Sequence, residues 1–315
     1  MTKINYHGVK ILAPMVRVST APMRLLSLKY GADLVYTPEI IDRRMMVSQR
    51  IENKRLGTID YVNPQDESLT LRIHPSECSR LVVQLGSSRP DHAAQAAAVI
   101  ADTDVAGIDL NCGCPKRFSI INAMGAALLT EPDTLCGILD RLVAEKPTLA
   151  ITAKIRMLPE VADTIALAKR IEATGVQALA LHCRYRDQRP REPGHWSIFR
   201  PVADAIRIPL IANGDVMGLR DWTQLTSSAH GVAGVMVARA AQYNPSCFAA
   251  APLPGLAIIR EYVLVATMLD MPYGNVKYTL CLMWSALPHT RRLEKSALVP
   301  HKSLRELIAY LGLAE

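Results

Sequence analysis

The stretch Val105-Ala-Gly-Ile-Asp-Leu110, running straight into Asn111-Cys112-Gly113-Cys114-Pro115, decides the fold. Its first half is an apolar run with the character of a buried strand. Its second half is a turn, in which the glycine allows backbone to approach a ligand closely and the proline stops the strand. A buried strand ending in a polar Gly/Pro turn is where an α/β fold places its chemistry. A thiol is the only kind of side chain there that can act as nucleophile or proton donor near neutral pH.

Outward from this strand, short β-branched apolar segments alternate with helical periodicity. Strands are expected at Val9–Met15, Ala32–Thr37, Leu81–Leu85, Gly107–Asn111, Ala150–Ile155, Ala178–His182, Pro209–Asn213 and Gly234–Ala238. Helices are expected at Ala21–Leu28, Asp91–Ile100, Pro132–Val143, Glu160–Ile171 and Pro201–Ile206. Strands apolar on both faces mark a parallel sheet covered on both sides. Eight of them within roughly 240 residues fit an α/β fold of the (β/α)8 TIM-barrel type, whose usual size is ~250 residues. The polar stretch Arg43 to Arg80 interrupts the alternation and is expected to hold a hairpin through Asp60–Val62 and Leu69–Ile73. After Ala241 the strand pattern stops, and Pro252 and Pro254 punctuate the junction. Helices are expected at Ile258–Leu269, Val276–Ser285 and Lys302–Leu311. The reading is a barrel over 1–248 followed by a small all-helical C-terminal domain over 249–315.

Half of the 315 residues are hydrophobic, so the chain is globular. No apolar run approaches the ~18–20 residues of a membrane span, and the N-terminus lacks the apolar core of a secretory signal. The seven cysteines are odd in number and scattered, which suggests a reducing compartment and a cytoplasmic location. Cys112 and Cys114 form C-x-C, not the C-x-x-C of structural zinc sites, and no metal is expected. The net charge of +7 and pI of about 9.1 favour a polyanionic partner such as nucleic acid; a basic solvated surface is the plainer alternative. A monomer is expected.

A barrel carries its active site at the C-terminal mouth, so the polar residues at the strand ends matter most. They are Pro14-Met15, Glu39, Gln84, the Cys112/Cys114 turn, Lys154 and Arg156, His182, Asn213-Gly214-Asp215 and Ala238-Arg239-Ala240. Each has an ordinary structural explanation: a lysine that snorkels, a histidine that only hydrogen-bonds, a glutamine that caps backbone, a Cys183 that is merely a small buried hydrophobe. Their convergence on one mouth argues for more, because buried polar groups need partners. Strands seven and eight of such barrels commonly cradle a phosphate, to which Arg239 would add a charge-assisted contact. Lys154 could hold negative charge at the other end of a phosphate-bearing cofactor, with Gln84 and His182 on its polar edges. Neither a G-x-G-x-x-G nor a Walker sequence is present.

Taken together, these motifs resemble the tRNA-dihydrouridine synthases, flavin enzymes that reduce uridine in tRNA. The resemblance runs from Ile11-Leu-Ala-Pro-Met-Val-Arg17 to about Tyr278. It is carried by Val83-Gln-Leu-Gly86, Gly107-Ile-Asp-Leu-Asn-Cys-Gly-Cys-Pro-Lys116, Met124-Gly-Ala-Ala-Leu-Leu129, Ile211-Ala-Asn-Gly-Asp215 and Val237-Ala-Arg-Ala-Ala241. Val235–Ala241 with Asn244-Pro245, and Asn275-Val-Lys-Tyr278, are similar to the eukaryotic branch that acts on position 20. The resemblance implies a flavin barrel with a helical tRNA-binding domain, Cys114 as the catalytic cysteine, and FMN contacts from Pro14, Met15, Gln84, Lys154, His182, Asn213, Gly214, Asp215, Ala238 and Arg239. Departures from the family pattern stand out. Ser119-Ile-Ile-Asn-Ala123 replaces a Lys-Gly-type stretch, Cys183 follows His182 where glycine is usual, and Ala238 sits where many bacterial members have glycine. The 315 residues carry no double-stranded-RNA-binding domain, so the grip on tRNA is expected from the barrel and the helices.

The implied chemistry delivers hydride from reduced FMN to uracil C6 and a proton from Cys114 to C5, with NADPH re-reducing the flavin. Cys112, two residues from Cys114 in an extended segment, would face the opposite side. Asn111, Arg184, Arg186 and Lys277 are expected to touch substrate. Arg189, Arg191, Arg291, Arg292, Lys295, Lys302 and Arg305 are further candidates for the RNA backbone, with salt-sensitive binding as their signature. Three other readings compete. One is an FMN enzyme of free pyrimidines similar to dihydroorotate dehydrogenase, which would need neither the helices nor the basic clusters. The others are a Schiff-base lyase using Lys154 and a non-catalytic tRNA-binding protein.

Overall fold

A computed structural model describes residues 4–227, 229–287 and 300–313. Eight parallel strands close into a barrel: β1 (Lys10–Leu12), β2 (Leu34–Tyr36), β3 (Leu81–Gly86), β4 (Gly107–Cys112), β5 (Ala150–Arg156), β6 (Ala178–His182), β7 (Leu210–Asn213) and β8 (Gly234–Val237). Each strand pairs with the next, and β8 returns to β1 with Lys10 opposite Val235. All eight expected strands are present; β1 is the most curtailed, ending three residues before the expected Met15, while β3, β4 and β5 run one residue longer than expected.

Side-chain alternation along the strands builds two apolar layers. Ile11, Leu34, Tyr36, Val82, Ala178, Ala180, Ile211 and Met236 fill the barrel interior. Leu12, Val35, Val83, Ile108, Leu110, Leu179 and Val235 point outward into a second cluster beneath the helices. Helices Ala21–Lys29, Pro90–Val99, Pro132–Glu145, Val161–Ala173, Phe199–Ala205 and Leu219–Leu225 cover this outer layer. The helix Pro132–Glu145 shows the pattern well. Leu135, Ile138, Leu139 and Leu142, spaced at three and four residues, form its buried stripe.

The stretch after β2 holds more than the expected hairpin. A three-stranded antiparallel sheet forms from Gln49–Asn53, Thr58–Val62 and Leu69–Ile73. Gln49–Asn53 is its edge strand and is largely exposed, so it shows no apolar alternation to read. Arg24 fastens this insert to the barrel. Its guanidinium is 1% exposed, pairs with Glu77 through two bonds of 2.7 and 2.8 Å, and donates to the carbonyls of Ser19 and Arg72.

Beyond Pro254 come helices Gly255–Met268, Tyr273–Ser285 and Leu304–Tyr310. Ile258, Tyr262, Val276, Leu280 and Trp284 belong to the same apolar cluster as Val18 and Met23 of the barrel wall. The barrel and these helices therefore share one continuous core. A polar clasp adds to it at the loop after β1. Arg17 adopts a left-handed φ of 65° and lays its guanidinium over the Tyr278 ring at 4.6 Å. It also donates to Asn275 Oδ1 and the Gly274 carbonyl, while its own carbonyl accepts from Thr279 Oγ1. Arg291, Arg292 and Lys295 lie outside the described residues. No helix among the described residues is long and apolar enough to cross a membrane.

Candidate active site

The alternation that fills the barrel also delivers the mouth. At the C-terminal strand ends the inward positions are polar: Gln84, Asp109, Asn111, Lys154, Arg156, His182 and Asn213. Register sets them side by side, with Asn111 opposite Lys154 and His182 opposite both Arg156 and Asn213. All of them except Asp109, which lies beneath, floor a cleft of about 200 Å³ that Ala13, Pro14, Glu39, Cys114 and Ala238 complete. A second cavity of about 170 Å³ continues from it, sharing Arg156, His182, Asn213 and Ala238. Gly214, Asp215, Arg184 and Arg239 line that extension.

The thiol loop is shaped by a chain of hydrogen bonds that begins deep in the barrel. Asp109, fully buried, accepts from Thr152 Oγ1 at 2.6 Å and from Gln84 Nε2 at 2.8 Å. Burial pushes its carboxyl up to about 6, against the pull of those two donors. With its amide so oriented, Gln84 accepts from Asn111 Nδ2 at 3.2 Å. Asn111 Oδ1 in turn accepts from the backbone N–H groups of Gly113 and Cys114, both at 3.0 Å. Arg156 fastens the loop from the other side through the Gly113 carbonyl at 2.8 Å and reaches the Tyr185 carbonyl at 3.0 Å. Cys112 faces away into the outer core, fully buried, and burial raises its thiol well above the ordinary value. Cys114 lines the cleft; burial and the Glu39 carboxylate raise its thiol too, so it stays protonated near neutral pH.

The opposite side of the cleft is cationic. Lys154 makes no hydrogen bond or ion pair among the described residues, and burial, followed by Arg156, lowers its ammonium to about 8. His182 is driven well below its usual value by burial and by Lys154, Arg156, Arg184 and Arg239. It is therefore neutral at neutral pH, and its Nε2 accepts from Arg184 Nη1 at 3.2 Å. Arg184 and Arg239 both pair with the Asp215 carboxylate. That carboxylate is thereby engaged, and what Asp215 can still offer an anion is its backbone. Gly214 and Asp215, at φ of 117° and 57°, donate their N–H groups to nothing among the described residues. Consecutive free amides of this kind form an anion-binding concavity. A Cβ at Gly214 would come within 2.5 Å of Cys183 Sγ, so the cysteine that follows His182 fills the space behind the turn.

The structure brings Pro14, Gln84, Asn111, Cys114, Lys154, His182, Asn213 and Ala238 to the cleft, and Gly214, Asp215 and Arg239 to its extension. Met15 lies beside the cleft but does not line it, and its N–H is taken by Ser19 Oγ at 2.9 Å. Arg184, read as a substrate contact, is instead buried in the cavity wall. Arg186 is exposed on the loop after β6, and Lys277 lies on helix Tyr273–Ser285, where its ammonium donates to the His301 carbonyl. Asp109, Arg156 and Glu39 carry no assigned role in the sequence reading. The strand-end positions of Arg156 and Glu39 were the available signal; Asp109, mid-strand in β4, gave none, and the partners of all three emerge only from register.

Fold and mouth together define a (β/α)8-barrel protein with a protonated thiol facing a cationic cavity across one cleft. The chain belongs to the dihydrouridine synthase family, whose family model matches residues 11–270. It is 42% identical over 309 residues to a tRNA-dihydrouridine(20) synthase (NAD(P)+) of Schizosaccharomyces pombe, covering 94% of this chain and 64% of that protein. It is 39% identical over 297 residues to the protein of that name in Saccharomyces cerevisiae, covering 88% and 77%. A human tRNA-dihydrouridine(20a/20b) synthase-like protein is 30% identical over 305 residues, covering 96% and 90%. The chain thus spans just under two thirds of the length of the fission-yeast relative.

Proposed function

We propose that this chain reduces the C5=C6 bond of a uridine in tRNA to 5,6-dihydrouridine, with FMN as resident cofactor and NADPH as reductant. The observation that carries the reading is the protonated thiol of Cys114 facing the cationic cavity across one cleft. The cavity suits FMN. Two free backbone amides and Arg239 await a phosphate, and an unpaired Lys154 awaits negative charge deeper in the cleft. Gly214, Asp215, Ala238 and Arg239 would hold the phosphate end. Pro14, Gln84, Lys154, His182 and Asn213 would hold the ring system, with Met15 beside the cleft supporting Pro14.

When bound, FMN supplies the hydride for C6 and takes electrons from NADPH. The chain contributes the rest. Lys154 stabilises negative charge, neutral His182 and Gln84 supply hydrogen bonds, and Asn111 and Arg156 hold the thiol loop in place. Cys114 protonates C5: a thiol held protonated at neutral pH is a far stronger acid than a serine hydroxyl. The target base must leave its stack, at a cost of a few kcal/mol. Phosphate contacts from Arg186 and from the 249–315 segment, including Lys277, would supply the binding energy. Position 20 is the site we expect, by likeness to the two yeast relatives, with a cytoplasmic setting and a monomeric protein.

The test is incubation with NADPH and tRNA from cells lacking dihydrouridine, then digestion and mass spectrometry for a uridine nucleoside gaining two hydrogens. Wild type and Cys112→Ala should yield product, and Cys114→Ala little. Turnover of free uracil or orotate with tRNA left unchanged would replace the tRNA reading by the free-pyrimidine one.

A further inference from the structure

One ionisable side chain in the cleft has no part in the scheme above. Glu39 follows β2, and the next two residues, Ile40–Ile41, pair with β3 so that Ile41 sits opposite Gly86. This pairing lays the carboxylate directly over Gly86, where a Cβ would come within 2.5 Å of Oε1. Both Glu39 oxygens are buried, and neither has a partner of full hydrogen-bond geometry among the described residues. A carboxylate so placed is costly, and burial pushes Glu39 up to about 7.

The Cys114 thiol lines the same cleft, and the two groups act on each other: the carboxylate raises the thiol, and the thiol draws the carboxyl down. The Ser119 hydroxyl, likewise buried and unpartnered, also adjoins the thiol. The other titratable groups around the cleft are Lys154, Arg156 and neutral His182, with Cys112 behind the strand. None of them hydrogen-bonds the carboxylate.

We propose that Glu39 is the acid that recharges Cys114, returning a proton to its thiolate after each turnover. The inference rests on the proposed reduction for the event that discharges the thiol; the coupling of the two side chains stands apart from it. The protons balance. S–H breaks as C5–H forms, the Glu39 O–H breaks as S–H re-forms, and a proton from water restores the carboxyl. No electrons move in these steps. Between turnovers, an ionised Glu39 disfavours the thiolate and keeps Cys114 in its acid form.

Glu39→Gln keeps the shape but cannot release the proton, and Glu39→Asp keeps the acid but draws it back by a methylene. Iodoacetamide labelling of the Cys114 peptide, followed by mass spectrometry between about pH 6 and 10, reads the thiolate without substrate or cofactor. Near pH 8, Glu39→Gln should label on the order of tenfold faster than wild type, because removing a like charge lowers a thiol pKa by about one unit. Glu39→Asp should fall between. Equal labelling of wild type and Glu39→Gln would overturn the coupling.

On reductant-loaded enzyme with tRNA, the first turnover of Glu39→Gln should match wild type, since the thiol begins with its own proton. Steady-state turnover should fall at least about fivefold and lose its pH dependence near 7. An unchanged steady state, or a first turnover lost along with it, would overturn the recharging role. Should wild type make no dihydrouridine at all, the labelling result still decides whether the two groups are coupled.

Discussion

At the scale of single residues, the cleft separates groups by protonation. Cys114 is held protonated, His182 is held neutral, and Lys154 is left charged but only just. The last has a measurable consequence. An anion that contacts Lys154 favours its ammonium form, so binding must supply the missing proton once the pH exceeds about 8. FMN affinity of the cofactor-free protein should hold steady below that pH and weaken above it, approaching about tenfold per unit. Quenching of flavin fluorescence across the range would show this. Lys154→Met should bind more weakly and lose the slope; a parallel slope in both proteins would mean that Lys154 does not face the anion. Position in the chain revealed that these residues share the mouth. It could not reveal Asp109 orienting Gln84, or Glu39 lying over Gly86, because both follow from burial and register between distant strands.

At the scale of elements, the barrel strands were legible because each is apolar on both faces, and parity along β4 alone turns Cys112 away from the cleft. The edge strand Gln49–Asn53 was not legible, since an exposed strand needs no apolar face. Short helices such as Arg117–Ile121 and Arg239–Tyr243 also escaped, being too brief to show a period. The turn after β7 leaves no room for a side chain at Gly214. Gly214→Ala would place a methyl within 2.5 Å of Cys183 Sγ on backbone already at φ 117°. We expect a loss of about 1–3 kcal/mol in urea unfolding and a larger proportional loss of flavin retention. Gly214→Ala combined with Cys183→Gly should recover part of the stability by removing the clash and leave the strained φ in place. No recovery at all would place the whole cost in the backbone.

At the scale of the molecule, barrel and helices are joined by one apolar cluster and by the Arg17 clasp. Arg17→Ala removes the stacking on Tyr278, worth about 0.5–1 kcal/mol at an exposed site, and the two bonds to Gly274 and Asn275. Hydrogen exchange should quicken in residues 13–19 and 273–279 together while the outer helix Pro132–Glu145 is unaffected; exchange rising in only one of the two segments would show that the clasp does not couple them. That clasp joins residues 257 to 262 positions apart in sequence. A growing polypeptide therefore emerges from the ribosome with this cleft-lining loop already made but its anchor not yet translated. The loop can reach its final shape only after residues 274–279 have left the exit tunnel, so the cleft that Ala13, Pro14 and Val16 line is completed only after every barrel strand has been made.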